Sequence, residues 1–219
     1  MAIRYSLATT NWNGRTNLQK IGILGGTFDP PQVGHLILAE YTREALNLDH
    51  VLFVPVGDHP QKQNTRQPIN HRLKMLSMAI ADNPAFSISH VDLERPGPHY
   101  SADTVAIIQR QYPDALLYFV MGGDNLRNLP SWDRVRDLYQ RCRLAVMKRA
   151  DEDISKDMHR DIFPDLHEHI DMIDVPLLSV WVSSTLVTER LLSGKSVRYL
   201  VPDCVFEYIE KNNLYLPTS

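Results

Sequence analysis

A glycine-rich stretch near the N-terminus, GGTFDPPQVGH, is the part of the sequence best suited to binding phosphate. Gly25 and Gly26 follow a short apolar run and precede a helical pattern. Glycines let backbone N–H groups approach a ligand, and a helix N-terminus favours anions. The spacing matches neither a P-loop, because no Gly-Lys-Ser/Thr follows, nor the G-x-G-x-x-G of dinucleotide-binding folds. From these glycines alone, a phosphate site and a simple turn after a strand are both open interpretations.

The elements that would position this stretch are short strands alternating with helices. Apolar runs bounded by turn residues predict strands that begin at Ile21, His50, Phe86, Leu116, Arg143 and His169. Helical patterns between and after them begin near Val33, Leu73, Ser101, Ser131, Ser183 and Pro202. This alternation predicts an α/β fold with a doubly wound parallel sheet and helices on both faces. Ligands of such sheets bind outside the carboxyl ends of the strands.

Length and composition indicate one ordinary globular domain. The chain has 219 residues, a formal net charge of -3 and 43% hydrophobic residues, which argues against a basic surface for nucleic acid. We predict a polar extension at 1–20, one domain at 21–215, and an insertion or mobile segment at 148–168. The two cysteines are far apart and are interpreted as reduced thiols of a cytoplasmic protein. No run approaches the ~20 apolar residues of a membrane span.

The glycine-rich stretch resembles the GGTFDPxHxGH signature of the nucleotidylyltransferase superfamily. Four further segments are similar to motifs of bacterial nicotinate-nucleotide adenylyltransferases: HPQK at 59–62, HYSADT at 99–104, GGDNLRNLPSW at 122–132 and VSSTLVTER at 182–190. They occur in the family's order. The resemblance implies the Rossmann-like fold of that superfamily. It also implies transfer of AMP from ATP to nicotinate mononucleotide, which gives deamido-NAD and pyrophosphate in NAD biosynthesis.

The resemblance assigns roles to residues at the ATP end. The mononucleotide phosphate attacks ATP directly in this family, so positioning and charge neutralisation replace a protein nucleophile. His35 and Lys62 are expected to contact the phosphates during catalysis, and Asp29 to fix a turn. Contacts to ATP are implied for Gly25, Gly26, Thr27, Phe28, Gln32, Gly34, Asp124, Ser183, Ser184 and Thr185. Mg²⁺ is expected to bind mainly through phosphates, with no metal site made by the protein.

The mononucleotide end is implied by two motifs. Trp132 is expected to stack on the pyridine ring, because an aromatic face attracts a cationic ring. Tyr100 and Ser101 are expected to contact the nicotinate carboxylate, chiefly through their backbone. A core position for Trp132 is the alternative interpretation.

Three positions depart from the family's pattern. Gln32 and Gln61 stand where the family has histidines, and Thr188 stands where it has an arginine. Gln32 is expected to be a tolerated neutral donor. Thr188 is expected to be the costlier change, because a hydroxyl does not reproduce a guanidinium. The sequence therefore predicts an active enzyme that needs much ATP, in which Thr188→Arg gives the largest gain.

Other functions stay open from the sequence. The chain could be a catalytically weak nucleotide-binding or regulatory homologue, or it could use another mononucleotide such as nicotinamide mononucleotide. The retained motifs discriminate poorly between the acid and the amide. The expected partners are small-molecule substrates, with no nucleic acid and no membrane, and a homo-oligomer is possible.

Overall fold

The described residues form a six-stranded parallel sheet. The computed structural model describes residues 18–57, 66–149, 152–175 and 182–216. The strands are β1 (Lys20–Gly26), β2 (His50–Pro55), β3 (Phe86–Ile88), β4 (Leu116–Gly122), β5 (Arg143–Arg149) and β6 (Ile170–Val175). Their spatial order is β3-β2-β1-β4-β5-β6, and every neighbouring pair is parallel. The prediction of a doubly wound parallel sheet is confirmed.

Helices connect the strands, and two further helices follow the last strand. They are α1 (Val33–Leu46), α2 (Ile69–Ala79), α3 (Ser101–Gln111), α4 (Gly123–Asn128), α5 (Val135–Tyr139), α6 (Ser184–Leu192) and α7 (Asp203–Lys211). Short 3-10 turns at Leu129–Ser131 and Leu166–His169 complete the regular structure. The predicted helix near Ser131 therefore begins at Val135, after a 3-10 turn. Helix α4 has no counterpart among the predicted elements.

The sheet has a hydrophobic core on each face because successive strand residues point to opposite sides. Ile21 and Ile23 of β1 pack in the core that includes α3, α4 and α5 residues. Leu24 packs in the other core, with residues of α1, α2, α6 and α7. Strands covered on both faces are continuous apolar runs, which is why the sequence predicts them well.

The connections leave a crevice beside β1 and β4. These central strands are neighbours in the sheet. The helix after β1 packs in one core, whereas the helix after β4 packs in the other. The strand order therefore reverses direction here, and such a switch point is where doubly wound sheets bind ligands.

The two predicted irregular segments are partly described. Lys20 belongs to β1, so the described part of the extension at 1–20 already joins the sheet. Lys148 and Arg149 belong to β5. Beyond them, Glu152 is buried and accepts a hydrogen bond from the backbone N–H of Arg149 at 3.0 Å. Ile154 is also buried, so this part of segment 148–168 packs on the domain. Within the described ranges, no helix is long and apolar enough to cross a membrane.

Candidate active site

A cavity of about 520 Å³ lies at the carboxyl ends of β1 and β4. Its walls contain Leu24 from β1 and residues Phe119 to Met121 from β4. Predicted site residues from distant parts of the chain meet here, namely Gly25, Gly26, Thr27, Gln32, His35, Tyr100, Ser101, Trp132, Ser183, Ser184 and Thr185. The structure thus brings the glycine-rich stretch, the α3 start, the Trp132 segment and the α6 start to one place.

The glycine-rich loop is shaped by Phe28. This residue has a left-handed backbone, with φ of 48°. Its ring is buried and packs over Gly26, where an added Cβ would lie 3.2 Å from the ring. The ring also meets the imidazole of His35 edge-on, with centroids 4.9 Å apart. Phe28 therefore packs against the loop and against His35, and its side chain is not part of the cavity wall.

Asp29 fixes the turn after this loop. Its carboxylate accepts hydrogen bonds from the backbone N–H groups of Arg66 at 2.6 Å and Gln67 at 3.2 Å. The hydroxyl of Tyr215 donates a third hydrogen bond at 2.5 Å. These contacts join Asp29 to two distant segments of the chain, and its turn-fixing role stays a prediction.

Arg72 is a buried cation that the sequence analysis missed. Its side chain is almost fully buried, and it donates hydrogen bonds to the backbone oxygens of Thr27 at 2.7 Å and Val56 at 2.8 Å. A third donation, at 3.2 Å, reaches the oxygen of Gln67. Arg72 joins the glycine-rich loop to the end of β2. No local pattern signals this, because arginines in amphipathic helices usually face solvent.

Gln32 and His35 form a capping box at the start of α1. The backbone N–H of Gln32 donates to Nδ1 of His35 at 3.2 Å. A neutral ring that accepts at Nδ1 carries its proton at Nε2. His35 is only partly buried and lines the cavity, so its imidazole is oriented as a hydrogen-bond donor.

The start of α6 forms the facing wall. The hydroxyl of Ser183 caps the helix by accepting from the backbone N–H of Leu186 at 3.1 Å. Ser183 and Thr185 are exposed, whereas the hydroxyl of Ser184 donates to the backbone oxygen of Pro30 at 2.9 Å. Free N–H groups and the positive end of the helix dipole make this wall suited to an anion.

The end of the cavity that Trp132 and Tyr100 line is aromatic. Trp132 is partly buried and packs edge-on against Phe119, with centroids 6.0 Å apart. The guanidinium of Arg134 lies over the ring of Tyr100, 5.5 Å from its centroid. Arg134 also donates to Asp103 at 2.6 Å, and this hydrogen bond lowers the pKa of the Asp103 carboxyl.

Two buried polar residues near this end are additional candidates. Asp92 is buried and accepts hydrogen bonds from the hydroxyl of Thr104 at 2.8 Å and from Arg95 at 2.9 Å. His99 is also buried, and its Nδ1 has no hydrogen-bond partner among the described residues. Both side chains line the cavity. The HYSADT motif pointed to this segment but not to Asp92.

Two other predicted residues, Asp124 and Gly34, are not part of the cavity wall. Asp124 is exposed and pairs with Arg127 at 2.9 Å and with Arg149 at 3.5 Å. Gly34 lies under the side chain of Gln32. Lys62 and Gln61 lie outside the described residues.

Thr188 was expected to lie beside the phosphates, where the family's arginine would contact them, but the structure buries it elsewhere. It is 2% exposed, and its hydroxyl donates to the backbone oxygen of Ser184 at 2.7 Å. It does not contribute to the cavity wall. Within the described ranges, no Lys or Arg side chain lines the cavity. The described donors are therefore imidazoles, hydroxyls, amides and backbone N–H groups.

Similarity to known proteins identifies the family of this chain. Residues 23–190 match the model of the cytidylyltransferase-like family. The chain belongs to this family. A relative from Thermomicrobium roseum is named a probable nicotinate-nucleotide adenylyltransferase. It is 39% identical to this cytidylyltransferase-like chain, and the alignment covers 90% of this chain and 92% of the relative. A relative of the same name from Dehalococcoides mccartyi is 40% identical, covering 90% and 97% of the two chains.

Solved structures show the same fold. Plasmodium falciparum nicotinic acid mononucleotide adenylyltransferase complexed with NaAD aligns with a TM-score of 0.75 and 21% identity. The alignment covers 90% of this cytidylyltransferase-like chain and 97% of the parasite protein. The same enzyme complexed with APC aligns with a TM-score of 0.73.

Proposed function

We propose that the protein transfers AMP from ATP to nicotinate mononucleotide, releasing pyrophosphate and forming deamido-NAD for NAD biosynthesis. The supporting observation is one shared cavity, whose wall contains the glycine-rich loop, His35, the α6 start and Trp132. The relatives named as probable nicotinate-nucleotide adenylyltransferases match over nearly the whole domain. The protein is thus a nucleotidyltransferase.

The reaction depends on aligning the two substrates with each other, and it uses no protein nucleophile. A phosphate oxygen of the mononucleotide forms a bond to the α-phosphorus of ATP, and the bond from that phosphorus to the bridging oxygen of pyrophosphate breaks. The electron pair leaves with pyrophosphate. The Nε2–H of His35, oriented through Nδ1, donates to the triphosphate as charge moves toward the leaving group. The α6 start holds phosphate oxygens through N–H groups and hydroxyls.

Mg²⁺ is proposed to enter with ATP. The described residues hold no group of three His, Cys, Asp or Glu side chains arranged for a metal ion. Asp92, one of the carboxylates in the wall, is already paired with Arg95 and Thr104. This donor set fits an ion held by phosphate oxygens and water rather than by a protein cage. When bound, the ion neutralises negative charge on the phosphates.

The experiment is a pyrophosphate-release assay with ATP and a panel of mononucleotides. We expect a higher kcat/KM for nicotinate than for nicotinamide mononucleotide, because N–H donors near Tyr100 and Ser101 suit a carboxylate better than a neutral amide. Equal or reversed values would reject the acid preference. Product mass identifies deamido-NAD.

A catalytically weak nucleotide-binding homologue is the second candidate. The observation that favours it is the wall without Lys or Arg among the described residues. The same assay decides between the two, because a binding homologue would bind ATP in equilibrium dialysis without releasing pyrophosphate.

We propose a cytoplasmic location and small-molecule substrates as the partners, with no nucleic acid and no membrane. Sedimentation tests whether the protein forms a homo-oligomer.

Cys142 and Cys204 form no disulfide. Burial raises the pKa of the Cys142 thiol to about 12, so this residue is interpreted as an inert core thiol.

A further inference from the structure

The carboxamide of Gln32 joins two segments that are 150 residues apart. Its Nε2 donates to the backbone oxygen of Val182 at 3.1 Å, just before the α6 start. Its Oε1 accepts from the backbone N–H of Gly34 in the first turn of α1. The side chain is 5% exposed. One N–H and the oxygen of the carboxamide are therefore used inside the protein, although Gln32 borders the cavity.

Gly34 leaves the space that this arrangement needs. A Cβ at position 34 would lie 2.6 Å from Oε1 and 3.2 Å from Nε2 of Gln32. Such contacts would force the carboxamide to move. Glycine is otherwise a poor helix former compared with alanine. The glycine is explained by the position of the Gln32 side chain above it.

Neighbouring contacts join the same two segments. The hydroxyl of Ser184 donates to the oxygen of Pro30 at 2.9 Å, and the hydroxyl of Thr188 lies 3.4 Å from the oxygen of Asp29. The loop before α1 and the N-terminal half of α6 are thus hydrogen-bonded together. His35 follows one segment and Ser183 and Thr185 lie on the other, facing one cavity.

We propose that Gln32 is a positioning residue that sets the spacing between the α1 and α6 N-termini, rather than a ligand of the phosphates. The link holds the donors of α6 opposite His35 before any substrate binds. A neutral carboxamide does this through one donor and one acceptor, a combination that a cation lacks. The catalytic consequence rests on the proposed adenylyl transfer, whereas the link itself is a property of the ligand-free protein.

The test compares Gln32→Ala, Gly34→Ala and the double variant with the parent. Hydrogen exchange is measured without ligand at the amide of Val187, which donates to the oxygen of Ser183 at 3.0 Å in the first turn of α6. Loss of one hydrogen bond of ordinary net strength predicts about fivefold faster exchange in either single variant. The double variant should differ from Gln32→Ala by less than about twofold, because both changes break the same link.

Gln109→Ala is the matched control. Its Nε2 also donates to backbone oxygens, those of Tyr112 and Pro113, at the far end of α3. This variant should leave exchange at Val187 and the kinetics unchanged.

Gln32→Ala and Gly34→Ala should lower kcat/KM for ATP about tenfold, which is the size of loss expected when the donors at the α6 start are misplaced. KM for the mononucleotide should stay near the parent value.

Unchanged exchange at Val187 in Gln32→Ala and Gly34→Ala would overturn the positioning role, as would independent, additive effects of the two changes. Faster exchange with unchanged kcat/KM for ATP would also overturn it. If the parent catalyses no adenylyl transfer, the proposed function fails separately, and the exchange data still decide whether the link exists.

Discussion

The hydroxyl of Tyr215 donates a 2.5 Å hydrogen bond to Oδ1 of Asp29, 186 residues earlier in the chain. Both side chains are buried. The other oxygen of Asp29 accepts from the backbone at Arg66 and Gln67. The C-terminal turn is therefore connected to the loop that carries the glycine-rich stretch.

Tyr215→Phe is expected to lower the free energy of unfolding by about 1–3 kcal/mol, because it leaves a buried carboxylate oxygen without its donor. Denaturant unfolding measures this change. Tyr199→Phe is the control, since Tyr199 is 84% exposed and should change stability by less than about 0.5 kcal/mol. Equal stability of Tyr215→Phe and the parent would show that the hydrogen bond contributes nothing.

Alkaline pH should weaken the fold through the same residue. Burial, followed by the charge of Asp29 and its hydrogen bond, raises the pKa of Tyr215. Because the pKa of Tyr215 is higher in the folded protein than its unfolded value of about 10, its full contribution to the free energy of unfolding is present below about pH 10. This contribution is lost as the pH rises toward the pKa of Tyr215 in the folded protein. Burial raises the pKa of Tyr118 and Tyr139 in the same direction. The stability difference between the parent and Tyr215→Phe should shrink above about pH 10.

His35→Ala is expected to lower kcat by about 10²–10³, as loss of one well-placed donor does, with a much smaller effect on mononucleotide binding. The reason is that the contact strengthens as charge develops on the leaving pyrophosphate. Single-turnover kinetics separate the two effects. His50→Ala is the control, because His50 lies at the amino end of β2, away from the cavity. Near-parental turnover by His35→Ala would remove His35 from the mechanism.

The strands could be predicted because local pattern determines them. Six apolar runs became six strands, and the four inner strands are mostly buried, whereas the three residues of β3 are half-buried. Strand β3 begins at Phe86 as predicted and has only three residues, and the residues from Val91 to Arg95 form turns that bring Asp92 to the cavity. Helix α4 was missed because its six residues, Gly123–Asn128, are too few for a periodic pattern.

The site was predictable only in part. Residues at the carboxyl ends of strands meet by topology, so the gathering of Gly25, His35 and Trp132 follows from the fold. Partners far apart in sequence do not follow from local pattern. Gln32 contacts Val182, and Arg72 contacts Thr27, through geometry that the tertiary fold sets. The expectation that Gln32 donates to phosphate stays a prediction, and the structure adds that its carboxamide also hydrogen-bonds within the protein.

Trp132→Ala is expected to raise KM for the mononucleotide about five- to thirtyfold, the loss that corresponds to about 1–2 kcal/mol for a cationic ring over an aromatic face. KM for ATP should stay near the parent value. Initial rates with each substrate varied in turn measure both constants. A collapse of thermal stability with normal binding per folded molecule would assign Trp132 to the core through its contact with Phe119.

Thr188→Arg tests the sequence-based expectation that an arginine there improves use of ATP. The structure predicts the opposite, because Thr188 is buried and its hydroxyl is bonded within α6. A guanidinium at this position adds volume to a packed site and brings a charge under the loop at Asp29. Overpacking alone should cost about 1–3 kcal/mol of stability.

The measurements are the free energy of unfolding and kcat/KM for ATP in Thr188→Arg, with Ser193→Arg as the control. Ser193 is exposed at the C-terminal end of α6, where a cation is favourable, so the control should keep the parental stability. We expect Thr188→Arg to be less stable and to show no gain in kcat/KM for ATP, because displacing the α6 start from the loop moves Ser183 and Thr185 away from His35. A stable variant with improved kcat/KM would mean that the guanidinium reaches the cavity, and the missing-cation hypothesis would then replace the packing argument.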